Sequence, residues 1–138
     1  MHERPCRNPA MTRIASLAAA LLLSACAALP NGAAPIADGT EVTLGMGQST
    51  LLADNSLLTY VRLVDDSRCA PGVQCVWEGS AEVALRWQPR NAGARDIRLH
   101  TNARTGPVDA RLGERTVSLT GLERGIAPKA TLRVERAP

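Results

Sequence analysis

Ala81-Glu82-Val83-Ala84-Leu85-Arg86-Trp87-Gln88 changes polarity at nearly every step. In an extended chain Ala81, Val83, Leu85 and Trp87 fall on one side, with Glu82, Arg86 and Gln88 on the other. A period of two marks a half-buried β-strand, because successive strand side chains point to opposite faces, whereas a helical stripe recurs every three or four residues. The same pattern extends in both directions. Val42 and Leu44 alternate with Glu41 and Thr43, Ile97 and Leu99 with Arg98 and His100, Val117 and Leu119 with Thr116 and Ser118, and Leu132 and Val134 with Arg133 and Glu135. Leu57 to Val64 is apolar on both sides apart from Thr59 and Arg62, the composition of a central strand covered on both faces.

Turn residues separate these runs: Asp54-Asn55, Pro71-Gly72, Glu78-Gly79, Asn91-Ala92-Gly93, Thr105-Gly106-Pro107 and Gly125-Ile126-Ala127-Pro128. No helical stripe and no internal repeat follows residue 39. The pattern predicts an all-β domain of seven or eight short antiparallel strands, folded as a small β-sandwich or barrel. Its core must come from Leu, Val and Ala, since Tyr60, Trp77 and Trp87 are the only aromatic residues.

Upstream of the strands, Ile14 to Leu23 is an apolar run behind Arg13, closed by Leu23-Ser24-Ala25-Cys26. It is too short to cross a hydrocarbon core, which takes roughly 20 residues, and has the length of a signal h-region of about 7–15. These residues resemble the signal of a bacterial lipoprotein. The resemblance implies cleavage before Cys26 and acylation of the Cys26 thiol, so that residues 1–25 form the signal peptide. Met11 reads as the leader start, with residues 1–10 either an overcalled beginning or an extended n-region. Stable anchoring takes more than one acyl chain, which such lipoproteins supply on the cysteine, palmitate among them. Ala27 follows the cysteine where inner-membrane lipoproteins carry Asp, which implies an outer-membrane protein facing the periplasm if the cell is Gram-negative. Residues 26–39, rich in Ala, Pro and Gly, then read as the acylated cysteine and a flexible linker, and residues 40–138 as the folded domain.

Removal of residues 1–25 leaves 113 residues, the size of one domain, with 13 basic against 12 acidic side chains. This near-neutral balance, without a basic run, gives no electrostatic footprint for nucleic acid and no polybasic membrane clamp. Contact with the membrane is then left to the lipid that the resemblance implies at Cys26. Cys69 and Cys75 are the remaining thiols, and an even pair in an exported chain reads as a disulfide.

Asp65-Asp66-Ser67-Arg68-Cys69-Ala70-Pro71-Gly72-Val73-Gln74-Cys75-Val76-Trp77-Glu78-Gly79 is the densest run of special residues. It resembles a motif of uncharacterised exported bacterial proteins: Asp-Ser-Arg-Cys-Pro, a second cysteine, then an apolar residue, Trp, Ala and Gly. The match covers about fifteen residues. It departs where Ala70 replaces the expected Pro and Glu78 the expected Ala, and it implies an exported β domain but no activity. The run also reads as a disulfide-closed hairpin or strand connection. Asp65, Asp66 and Ser67 start the turn, Pro71-Gly72 reverses it, and Trp77 packs over the bridge or into the core. Alternatively it forms a recognition loop, with Arg68 as guanidinium contact, Trp77 as apolar anchor, and Asp65, Asp66 and Glu78 as acceptors.

Nothing in the sequence forms a catalytic constellation. His100, on the outward side of its strand, has no nucleophile in a recognised arrangement, and no Gly-rich phosphate loop occurs. Asp65, Asp66 and Glu78 are too few for calcium, which takes six to eight oxygens, and five residues separate thiols that redox chemistry places two apart. No catalytic residue, metal or cofactor is therefore expected. The chain reads as a lipid-anchored, non-enzymatic envelope protein acting through binding or as a structural accessory, with a protein partner in the envelope. An inhibitor of an envelope-attacking hydrolase such as lysozyme is the alternative, by likeness of architecture alone. A lipoprotein binding a cation or small ligand is the third reading.

Overall fold

In a computed structural model, which describes residues 34–138, the alternation at 81–88 buries Ala81, Val83 and Leu85 completely and turns Arg86 and Gln88 to solvent. Eight strands form among the described residues: β1 (Thr40–Leu44), β2 (Ser49–Leu51), β3 (Leu57–Asp66), β4 (Ala81–Gln88), β5 (Arg95–His100), β6 (Asp109–Leu112), β7 (Arg115–Leu122) and β8 (Ala130–Arg136). They pair antiparallel as two four-stranded sheets, ordered β1-β8-β7-β6 and β2-β3-β4-β5. The sheets do not close into a barrel. The fold is a β-sandwich.

Each sheet contributes its inward residues to one core. Leu58, Tyr60, Val83, Leu85 and Leu99 come from one side, and Leu112, Val117, Leu132 and Val134 from the other. Tyr60 is the largest side chain buried completely. Trp87 sits half-buried at the margin, donating Nε1–H to Ser56 Oγ at 2.9 Å, with the Arg95 guanidinium 5.1 Å from its ring centre.

The run Leu57 to Val64 lies inside its sheet, between β2 and β4, but it is not covered on both faces. Leu57 and Val61 are each 37% exposed. The doubled apolar pattern has a different cause. Against β4 the register slips between Tyr60 and Arg62 and again between Leu63 and Asp65. Val61 and Val64 are thus extra residues; the first bulge returns Leu63 to the core side, and the second precedes the exposed Asp65 and Asp66 at the strand's end.

The connections between strands fall alternately at the two ends of the sandwich. One end gathers residues 67–80, 101–108 and 123–129, and the other gathers residues 52–56, 89–94 and 113–114. The chain enters β1 at the second end, and there it is fastened. Ile36 packs on the core and donates its N–H to Leu51 O at 2.8 Å, while Gly39 N–H reaches Val134 O at 2.7 Å. Arg115, almost fully buried, holds Asp38 at 2.6 Å and Asp54 at 3.1 Å. Burial pushes the Asp54 carboxyl upward, but the Ser56 hydroxyl and N–H and the Arg115 charge outweigh it and hold it below the usual range. The last residues of the stretch read as linker are therefore attached to the body. Cys26, the signal residues and the linker up to residue 33 lie outside the described residues.

Candidate functional site

The loop of residues 67–80 starts from a clamp at its base. Ser67 and Ser80 face each other where β3 and β4 part. Ser67 N–H and Oγ–H both donate to Ser80 O, at 2.8 and 2.9 Å, and Ser80 N–H returns a bond to Ser67 Oγ at 3.2 Å. Gly79 closes the clamp with φ of +65°, and a Cβ there would lie 2.0 Å from Ser67 O, so no other residue fits. Asn102 Nδ2 donates to Gly79 O at 3.3 Å, and Thr105 Oγ1 to Ser80 Oγ at 2.7 Å, which ties the neighbouring loop to the same base.

Arg68 is the second fastening. Its Nε and Nη2 grip both carboxylate oxygens of Asp66 at 2.8 and 2.6 Å, while Nη1 and Nη2 donate to Leu122 O and Glu123 O, each at 2.8 Å. One side chain therefore joins the end of β3 to the loop that leaves β7 in the opposite sheet. The Arg68 bond is the main cause that holds the Asp66 carboxyl below the ordinary carboxylate range. Asp66 Oδ1 also accepts Arg68 N–H at 3.1 Å, the turn-starting bond expected of it. Arg68 is not an outward contact. Its side chain is 13% exposed and its donors are engaged inside the molecule.

Cys69 and Cys75 form a disulfide with Cα atoms 6.0 Å apart, closing the loop beyond the clamp. Past the bridge the chain turns outward. Trp77 is 84% exposed and packs neither over the bridge nor into the core, and Val76 beside it is fully exposed. The packing expected of Trp77 needs an extended strand that puts it on the face of Cys75, and residues 67–80 form no strand. Ile126, in the loop after β7 at the same end, is also fully exposed.

Two open grooves, of about 700 and 830 Å³, meet at Val76, Trp77 and Glu78. Arg124 and Ala103 border the first, and Arg104 and Thr105 border the second. Glu78, Arg104 and Arg124 are exposed. Asp65 stands exposed at the end of β3, opposite Glu82. Among the described residues no three His, Cys, Asp or Glu side chains converge on a point where an ion could sit, so Asp65, Asp66 and Glu78 do not assemble the cation site considered for them. His100 stays on the outward side of β5 but is half-buried, with its ring over Gly106.

The arrangement offers an aromatic face, apolar neighbours and a mixed charged rim, on a base fixed by hydrogen bonds and a crosslink. That is contact chemistry. Trp77 and Glu78 could be singled out from the sequence, while Asn102, Arg104, Arg124 and Ile126 were missed. The signal that finds them is the alternation of ends: in an antiparallel sandwich every second connection returns to the same side, so residues 101–108 and 123–129 must neighbour residues 67–80.

Comparison of the chain with known protein families, with curated proteins and with solved structures finds no match.

Proposed function

We propose that the protein is a lipid-anchored, non-enzymatic component of the bacterial envelope, held by acyl groups on Cys26, and that it binds a protein through the end carrying Trp77. In a Gram-negative cell it occupies the outer membrane and faces the periplasm. The observation that carries the binding role is the exposure of Val76 and Trp77 on a loop whose base is held by Arg68, the Ser67–Ser80 pair and the Cys69–Cys75 bridge. Exposing a tryptophan gives up the stabilisation that burial of its large surface would bring, and a rigid aromatic anchor is what tight interfaces use. A non-enzymatic reading is supported by the charged groups of the site. The acid with a displaced titration, Asp66, is held in its charged form by an arginine, the opposite of what a proton-transfer group needs.

The test is a pair of measurements on the membrane-borne protein. Feeding cells a clickable palmitate analogue should label the wild type and leave a Cys26→Ser variant unlabelled. Capture of a partner from native membranes should be at least tenfold weaker for Trp77→Ala than for the wild type; equal capture excludes the Trp77 loop as the binding surface.

The second reading, an inhibitor of an envelope-attacking hydrolase, is favoured by the protrusion of the same crosslinked loop, a shape that enters a substrate cleft. A lysozyme assay with the purified protein decides it. Inhibition lost in Trp77→Ala supports the reading, and full enzyme activity at micromolar excess of the protein ends it.

A further inference from the structure

The loop of residues 67–80 is held in two separate ways, by hydrogen bonds at its base and by a covalent bond beyond it. We infer that the Cys69–Cys75 bridge is a redox switch of the folded molecule. A dithiol opens it from solvent without unfolding the sandwich, and opening frees residues 70–78, Trp77 among them, while the base stays fixed. The inference needs neither a partner for Trp77 nor an anchor at Cys26.

Access decides whether a disulfide is reduced in place or only after the chain around it unfolds. Here Cys75 is exposed and Cys69 half-buried. Both line the groove of about 700 Å³ at Trp77, so a thiolate meets the bridge directly from water. The step is an exchange. One thiolate of the reductant attacks Cys75 Sγ, on the more accessible residue, and forms a mixed disulfide with it. The bond to Cys69 breaks, and its electron pair leaves on Cys69 Sγ, which takes a proton from water. The second thiolate of the reductant attacks the first, closes the reductant's own disulfide and expels Cys75 Sγ, which is protonated in turn. One disulfide and one dithiol thus become two thiols and one disulfide. The bridge is a target of this chemistry and not its catalyst, in keeping with the five residues between its thiols.

The hydrogen bonds confine the effect to the tip. Residues 70–78 are all exposed, and among the described residues they make no hydrogen bond to the body. Val73 N–H donates to Ala70 O at 3.2 Å, inside the ring that the disulfide closes. The Ser67–Ser80 pair, the grip of Arg68 on Asp66, Leu122 O and Glu123 O, and the bond from Asn102 to Gly79 O all lie outside that ring. Breaking the sulfur bond therefore removes the crosslink of the tip and leaves every bond of the base in place. The state of the bridge sets how rigidly Trp77 is held out.

The experiment adds dithiothreitol to the purified full chain under native conditions and, separately, in concentrated urea, and traps free thiols by alkylation. Trypsin cuts after Arg68 and Arg86, so Cys69 and Cys75 leave in one peptide whose mass reports the opening, apart from Cys6 and Cys26. The result expected is opening of the folded protein at a rate within about tenfold of that in urea. In the reduced protein the backbone order parameters of residues 70–78 should fall from about 0.85 to below about 0.6. The Ser67 amide and the strands should stay protected from hydrogen exchange, and Cys69→Ser/Cys75→Ser should reproduce this state without reductant. Opening more than about tenfold slower in the folded protein overturns the access from solvent. Order parameters unchanged by reduction overturn the release of the tip, and lost protection of Ser67 or of the strands overturns the independence of the base.

Discussion

Trp77 and Arg68 are nine positions apart and play opposite parts, one held out to solvent and the other drawn in. Trp77→Ala should change stability by no more than about 0.5 kcal/mol, as surface substitutions do, yet cost about 2 kcal/mol or more in binding. Urea unfolding and partner titration on the same preparation separate the two. Arg68→Ala removes the Asp66 grip and the bonds to Leu122 O and Glu123 O, and should lower stability by about 2–3 kcal/mol. Asp66 carries a pH dependence of definite sign. Its carboxyl lies below the ordinary 3.8 in the folded protein, so on acidification the unfolded chain takes up the proton first. The stabilisation is complete above that value and is lost as the pH falls below it. Unfolding midpoints measured from pH 6 to pH 2 should therefore drop less steeply for Asp66→Asn than for the wild type. Tyr60 gives a change of the other direction. Its hydroxyl is buried with no hydrogen-bond partner among the described residues, so Tyr60→Phe should leave stability unchanged or raise it by about 1 kcal/mol.

At the scale of the element, the loop of residues 67–80 is organised by its closure and its base. The disulfide closes a ring of seven residues, which chain-entropy arguments value at about 2–2.5 kcal/mol, and Cys69→Ser/Cys75→Ser should lose about that much while both sheets persist. Gly79→Ala should cost about 2–3 kcal/mol, because the added Cβ meets the Ser67 carbonyl and the backbone sits at positive φ. Far-ultraviolet circular dichroism with thermal unfolding checks both variants. The strands themselves were legible because alternation is a local property: each run in β4, β5, β7 and β8 carries its own inside and outside. β3 was only half legible. Its apolar doubling reflects two bulges, and a bulge is set by pairing with β4, which the run does not contain. The clamp by Arg68 was hidden for the same reason, since the carbonyls it binds lie 54 and 55 positions away.

Across the whole molecule, the pairings that matter link distant parts of the chain, as β1 with β8 shows. Folding of so non-local a topology should take milliseconds to seconds, which stopped-flow Trp87 fluorescence in a Trp77→Ala background can follow. The division of labour between the ends also belongs to this scale. Neither the Asp38–Arg115–Asp54 group nor the meeting of three loops around Trp77 has a signature in any single stretch of sequence. Those three loops leave different strands and touch one another chiefly at their bases, through Arg68, Asn102 and Thr105. Each can consequently be lengthened, shortened or rewritten beyond its base without disturbing the others. Independent randomisation of residues 71–74 and 76–78, of 103–104 and of 124–127, with Cys75 kept for the bridge, would turn the sandwich into a graftable scaffold for selecting new specificities, much as the variable segments of immune receptors diversify on a constant frame.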